Sequence, residues 1–326
     1  MRKFTAFAAS ALLLASLTGC ASAEVNPDLA AFEGITPACA HYETGSASEQ
    51  ISYTLDTEGI PQLKFPTPLG GTTAETKVLK EGTGPAFTGN EFIVFDYQIV
   101  NGGTGELVQG SKFDGSDDAS QLVTPAAEFL CQPLSGVKEG SLVAILLPAA
   151  SFKDGKGPQD FGLGPTDSLI LTIQLNKVAL PSAMGDAQPQ QDGFPQVVTD
   201  PATNEPGLVV ADWSKPAFTE FKKATLIKGK GKVVEKGQTV VVNYSGWVWS
   251  SVKAKFDSSW ANGSPVSFPV QDGSLIAGFI KALEGETVGS RVIAVIPPSE
   301  GYGDKDNGSI PADSTLIFVV DILAIK

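Results

Sequence analysis

The sequence is poor in the residues on which most enzymes rely. Its 326 residues include one histidine, three cysteines and two methionines. The histidine, His41, sits in a polar stretch, "HYETGSASEQ", far from any motif of interest. A Ser-His-Asp triad or a His-rich zinc site therefore has nothing to be built around. Basic residues are scarce too, with 23 Lys and Arg against 36 Asp and Glu and a formal charge of −13. That balance argues against nucleic acid as a partner, because phosphate binding draws on clustered Lys and Arg. Beyond the N-terminus no apolar run reaches the roughly 18 residues that mark a membrane-spanning helix. "GKGK" at 229–232 lacks the spacing of a phosphate loop, and "SDDAS" at 116–120 lacks that of an EF-hand. No metal and no cofactor is expected.

What is present suits a folded protein. A 42% hydrophobic content supplies packed cores, and the length suggests two domains. The N-terminus reads as a targeting segment, with "MRK" as its basic start and "FTAFAASALLLAS" as its short apolar stretch. "LTGC", Leu17 to Cys20, resembles the bacterial lipobox. The resemblance implies cleavage after residue 19 and diacylglycerol on Cys20, with an ordinary secretory signal as the plainer alternative. Loss of Arg2 and Lys3 leaves 21 basic against 36 acidic side chains, a charge of −15. Lipid chains would hold so acidic a protein at the outer face of the cytoplasmic membrane, within the cell envelope. Cys39 and Cys131 then remain, outside the cytoplasm, as candidates for one disulfide or as two buried thiols.

The chain repeats itself. "GIPQLK" at 59–64 returns as "GFPQVV" at 193–198, and "EFIVFDYQIV" at 91–100 as "TVVVNYSGWV" at 239–248. Lys-Phe-Asp occurs at 112–114 and at 255–257. "PLSGVKEGSLVAILLP" at 133–148 and "PTDSLILTIQLNKV" at 165–178 return as "ALEGETVGSRVIAVIP" at 282–297 and "PADSTLIFVVDILAI" at 311–325. Collinear order points to two tandem domains, with insertions confined to loops. The β-branched and aromatic runs read as strands, and "SLIAGFIKALEG" places Leu275, Ile276, Phe279, Ile280 and Leu283 on one helical stripe. The fold class is α+β, each domain a twisted antiparallel sheet wrapped around a short helix. The expected divisions are a leader at 1–19, a tether at 20–49, a first domain at 50–180, a proline-rich linker at 181–219 and a second domain at 220–326.

The second repeat resembles the FKBP family of peptidyl-prolyl cis-trans isomerases. The motifs are "VVVNYSGWV", "KFDSSW", "PVSFPV", "LIAGFIKALEGETVGSRV", "IPPSEGYGD" and "SIPADSTLIFVVDIL", in order across residues 222–326. The resemblance implies a catalytic set of Tyr244, Phe256, Asp257, Ile276, Tyr302 and Phe318. It implies a substrate-binding set of Val266, Phe268, Leu275, Phe279 and Ile310. It also implies proline-containing exported polypeptides as substrates and a macrolide as a further class of ligand. Phe279 stands where the family usually has Trp, and Val266 where it usually has Phe; both keep the surface apolar and make the cleft roomier. The first repeat resembles the family less. It keeps Tyr97, Phe113 and Asp114, but has Ala126, Ala127, Leu130 and Leu171 at the places of Leu275, Ile276, Phe279 and Phe318, and Phe152 near the place of Tyr302. The repeated Lys-Phe-Asp is expected to mark the same pocket edge in both copies.

The residue types suit that chemistry. Amide resonance sets a rotational barrier of roughly 18–20 kcal/mol, and X-Pro bonds are the ones with an appreciable cis population. The twisted amide has lost its resonance, so a dry apolar cleft selects it without covalent help. Activity is expected mainly in the second domain. The alternative is a non-catalytic binding module or chaperone for unfolded exported chains; a solute-binding lipoprotein would need an α/β interdomain cleft that this strand-rich pattern does not provide.

Overall fold

The computed structural model describes residues 37–116, 118–152, 163–164, 166–209, 218–249 and 255–326. The leader, Cys20 and the start of the tether lie outside the described residues.

Residues 38–51 are not a free tether. Ala38 N–H donates to the Thr88 carbonyl (2.6 Å), Thr76 N–H to that of Glu43 (3.1 Å), and the buried Glu75 carboxylate accepts from the N–H groups of Ala47 and Ser48. A hairpin follows, β1 (Ser52–Leu55) with β2 (Pro61–Lys64). The first main sheet then comprises β3 (Glu75–Lys80), β4 (Phe92–Asn101), β5 (Leu107–Gly110), β6 (Ala119–Leu122), β7 (Leu142–Leu147) and β8 (Leu169–Val178). Its order is β3-β7-β8-β4, with β5 and β6 both on the far edge of β4, and helix α1 (Glu128–Leu134) joins β6 to β7.

The second half of the chain repeats this plan. β9 (Gly185–Ala187) and a hairpin of β10 (Gln196–Thr199) and β11 (Pro206–Val209) precede β12 (Lys222–Gly229), β13 (Thr239–Val248), β14 (Lys255–Ser258) and β15 (Val266–Pro269). Helix α2 (Ala277–Leu283), β16 (Arg291–Ile296) and β17 (Leu316–Ile325) complete it. The order is β12-β16-β17-β13, with β14 and β15 on β13, and every pairing is antiparallel. Even the irregularities recur: the ladder slips between Val94 and Phe95 in β4 and between Val241 and Val242 in β13. Among the described residues, two large antiparallel sheets, two small hairpins and two short α-helices make the chain α+β.

Period-2 alternation explains why both faces of the second sheet are buried. Leu316, Phe318, Val320 and Ile322 on β17, with Val292, Ala294 and Ile296 on β16, face the helix side and join the main core. Ile317, Val319, Ile293 and Val295 face the opposite way, where Phe194, Val197, Leu208 and Phe218 cover them. The segment expected as a linker is therefore a packed strap. Its short apolar runs between prolines form a hairpin over a surface that would otherwise meet water. The first sheet is covered likewise, with Leu63 and Phe65 packed against the group that holds Ala144, Leu146 and Ile170. The matched "GIPQLK" and "GFPQVV" motifs enter their hairpins differently, however, one in the second strand (β2) and the other in the first (β10).

The connection between the halves belongs to the second sheet. Leu180 N–H donates to Leu323 (3.0 Å), Met184 N–H to Gly289 (2.8 Å) and Ala183 N–H to Asp321 (3.1 Å), and β9 extends the edge at β12. Lys326 Nζ also reaches Asp118 Oδ1 at 2.7 Å. Cys39 and Cys131 are joined as a disulfide with 5.9 Å between their Cα atoms, which fastens the N-terminal stretch to α1.

Candidate functional site

The site forms where β13, the β14 edge, the turn before α2 and the loop after β16 converge. Tyr244 of β13 is buried, and around it the rings of Phe268, Phe279 and Phe318 lie 5.7, 5.9 and 6.3 Å away, centroid to centroid. Phe279 meets Phe318 edge-on at 5.0 Å, and Phe256 meets Phe318 edge-on at 5.4 Å. Edge-to-face contacts of this kind add about 0.5–1.5 kcal/mol each beyond simple burial. The ring set is thus a rigid wall.

Two close approaches make the wall possible. Gly246 on β13 lies beneath Phe256, and a Cβ there would stand 2.5 Å from Phe256 Cζ and 2.9 Å from Phe318 Cε1. Gly278 lets α2 press onto β16, where a Cβ would stand 2.3 Å from Ile296 Cγ2. Ile276 is the N-cap of α2 in extended conformation, and its carbonyl accepts the Phe279 and Ile280 N–H groups. On the far side, Glu300 pairs with Lys281 of α2 at 2.8 Å, which holds the turn that presents Gly301 and the partly exposed Tyr302.

One polar pair lies in this apolar wall. The Tyr244 hydroxyl donates to Asp257 Oδ2. Burial pushes the Tyr244 phenol well above the ordinary tyrosine range, and the bond to the Asp257 carboxylate adds to the rise. The cleft occupies about 620 Å³, inside the roughly 300–1,000 Å³ range of small-ligand sites. By contrast, the cavity of about 120 Å³ between the two sheets, beside Gly84, Lys177, Lys232 and Val288, has no aromatic wall.

Of the eleven residues expected from the sequence, nine line this cleft: Tyr244, Phe256, Asp257, Phe268, Leu275, Ile276, Phe279, Tyr302 and Phe318. Val266 and Ile310 do not. Val266 pairs with Val242 along β15 and packs against the core, and its short side chain stops there. Ile310 is buried in the core. Gly273, Ser274, Ala277 and Gly301 line the cleft without having been singled out; they do so chiefly as backbone neighbours of Leu275, Ile276 and Tyr302.

Residues 230–323 match the family model described as FKBP-type peptidyl-prolyl cis-trans isomerase. An FK506-binding protein of Streptomyces anulatus is 39% identical over 100 residues, which cover 30% of this chain and 80% of that protein. The chain belongs to the FKBP-type peptidyl-prolyl cis-trans isomerase family. FK506-binding protein 1 of Aspergillus oryzae is 34% identical over 113 residues, covering 32% of this chain and 97% of that one. Among solved structures, FkpA from Escherichia coli is similar at 30% identity with a TM-score of 0.31, over 42% of this chain and 53% of that chain.

The match takes in the whole cleft and leaves the first sheet outside it. There the Tyr-Asp pair of the FKBP-type cleft is not formed. Tyr97 accepts a hydrogen bond from Gln109 Nε2 (2.7 Å) instead. Asp114 accepts from Ser116 N–H (2.8 Å), and its bonds to Ser116 hold its carboxyl below the usual range. The repeated Lys-Phe-Asp therefore does not mark one pocket edge twice. In the second copy it is strand β14; in the first it falls in bends after β5, with Phe113 at φ 59°. β5 has already paired with β4 through Gly110, which leaves Phe113 and Asp114 beyond the ladder.

Proposed function

We propose that this isomerase catalyses cis-trans rotation of X-Pro bonds in exported polypeptides, in the cleft of its second sheet, while held at the outer face of the cytoplasmic membrane by lipid on Cys20. The observation that carries the reading is the Tyr244–Asp257 pair set within a wall of aromatic rings. The proline ring enters against Phe279 and Phe318. The apolar wall strips water from the amide and so favours the twisted form, whose carbonyl has lost resonance. The Ile276 N–H and the Tyr302 hydroxyl donate to the substrate's carbonyls. Asp257, held by Tyr244, sets the polarity along the rotating bond. A thousandfold acceleration needs only about 4 kcal/mol, within reach of such a cleft. A macrolide would compete for the same wall, with Phe279 as its floor.

In this reading the first sheet is a divergent FKBP-like copy that serves as a spacer or a platform for the client chain. Ala126 and Ala127 leave a proline ring without walls there, and the unmatched Tyr97 and Asp114 leave it without the polar pair. The test is a proline-isomerisation assay on the full chain and on a Phe279→Leu/Phe318→Leu variant, which copies Leu130 and Leu171 of the first sheet. A folded variant with activity near background is expected. Undiminished activity would move the reaction elsewhere, and no activity in either chain would leave a binding module or chaperone.

A further inference from the structure

The hairpin over the outer face of the second sheet also reaches the cleft's edge strand. Glu205, just before β11, extends to β14, where its Oε1 accepts from Lys255 Nζ and, at 3.2 Å, from Ser258 Oγ. Lys255 Nζ lies 5.6 Å from the centre of the Trp247 ring on β13. Ser258 Oγ is 2.9 Å from Ser245 Oγ. Both ends of β14 are thus held from outside, and between them stand Phe256 and Asp257, two walls of the cleft.

The strand's irregularity makes this grip matter. Asp257 pairs with Gly246, but Lys255 pairs with the very next residue, Trp247, so Phe256 is an extra residue in the ladder. In a regular strand Phe256 and Asp257 would face opposite ways. The bulge turns both towards the cleft and leaves Lys255 and Ser258 on the hairpin side. A bulge forfeits ladder hydrogen bonds, so its geometry depends on outside support.

The hairpin is itself firmly seated. Arg291 donates from Nη1 to Thr199 Oγ1 (2.6 Å) and from Nη2 to the Asn204 carbonyl (2.7 Å), while Nε and Nη2 hold Asp321. Asn204 takes a left-handed conformation, φ 59°, that aims its carbonyl at this guanidinium. Glu205 is the next residue along the chain, so the fixed point lies beside the group that grips β14.

We infer that Glu205 is a positioning residue for the isomerase: through Lys255 and Ser258 it holds the bulged strand so that Phe256 and Asp257 keep their places in the cleft. The inference rests on the cleft proposed above. Glu205 does not line that cleft and acts only through β14.

The test uses the full chain with Glu205→Ala, Glu205→Gln and the reversed pair Glu205→Lys/Lys255→Glu. Glu205→Ala should lower kcat/KM roughly tenfold, short of the roughly hundredfold that a 1 Å misplacement costs at a reacting centre. The loss should fall on kcat more than on KM. The ionisation of Tyr244, followed by tyrosinate absorbance, should move back towards the ordinary tyrosine range as Asp257 loosens. Glu205→Gln should lie between Ala and wild type, and the reversed pair should recover most of the activity. Full activity in a folded Glu205→Ala chain would overturn the role. So would a loss matched by a lowered Tm, with Tyr244 unmoved and no recovery in the reversed pair. Phe279→Leu/Phe318→Leu, run alongside, separates the two readings. Should it stay fully active, the cleft assignment itself fails; should it be inactive while Glu205→Ala is not, only the positioning role falls.

Discussion

The hydroxyl of Tyr244 and the carboxylate of Asp257 form one hydrogen bond that joins strand β13 of the cleft to its edge strand β14. Because the phenol is buried and its proton is shared with a carboxylate, Tyr244 should resist ionisation. Its folded pKa is raised, so the associated stability is present below the ordinary tyrosine value of about 10 and is lost as pH rises beyond it. A tyrosinate titration should show Tyr244 ionising late, together with Tyr42, which burial also pushes upward. In Tyr244→Phe the alkaline loss of stability should shrink. Titration of Tyr244 in the ordinary range would refute the pairing.

Gly246 is predicted to be intolerant of a side chain. The added Cβ of Gly246→Ala would meet Phe256 Cζ at 2.5 Å, so the ring must leave its edge-on contact with Phe318. Overpacking of this kind costs about 1–3 kcal/mol. Isomerase activity should fall more steeply than Tm. A wild-type rate would show that Phe256 is dispensable.

Arg291 and Asp321 sit opposite each other on β16 and β17, both buried beneath the hairpin. Arg291→Met should destabilise the protein by about 3–5 kcal/mol, since it strands a buried carboxylate and frees the hairpin. Arg291→Met/Asp321→Leu should regain much of that loss, because two apolar side chains remove both charges at once. Denaturant unfolding of both variants decides, and a double variant no better than the single would count against this account.

The disulfide lies far along the chain from the cleft. Reduction of Cys39–Cys131, which are 92 positions apart, should cost about 2–4 kcal/mol in the first sheet. Isomerase activity should survive it. Equal sensitivity of rate and stability to reductant would mean that the first sheet takes part in the reaction.

Glu286 gives the chain an acid-sensitive point. Burial alone would raise its carboxyl, but Lys223 at 3.1 Å, Lys228 at 3.3 Å and Thr225 outweigh burial and hold it below the usual range. A depressed folded value means stability that is present above the ordinary carboxylate range and lost as pH falls through the folded one. Glu286→Gln should therefore unfold with a shallower acid dependence. An unchanged acid profile would remove Glu286 from the account.

The inner cleft was legible because its residues sit in elements with strong periodicity. Leu316 to Ile325 alternates as a strand buried on both sides, and Phe318 falls on the correct face by count alone. The hairpin over the outer face was not legible. Val197, Val198 and Leu208 lie in short runs between Pro195, Pro201, Pro206 and Pro216, a pattern that an extended linker shares. Only the apolar outer residues of β16 and β17 hinted that something must cover them. The two Lys-Phe-Asp copies misled for a related reason: identical letters were given different pairing by the strand beside them. Glu205 had no signal of its own, since its role depends on a bulge that arises only once β13 and β14 pair.

The strap also decides how the chain could be divided. A piece beginning at residue 220 would keep the cleft's own residues but leave Trp247, Ile293, Val295, Ile317 and Val319 bare on its outer side. Contiguous apolar patches of that kind recruit other molecules, so such a fragment would be sticky and prone to aggregate. The second half travels safely only when it carries the proline-rich stretch from about residue 179 onwards.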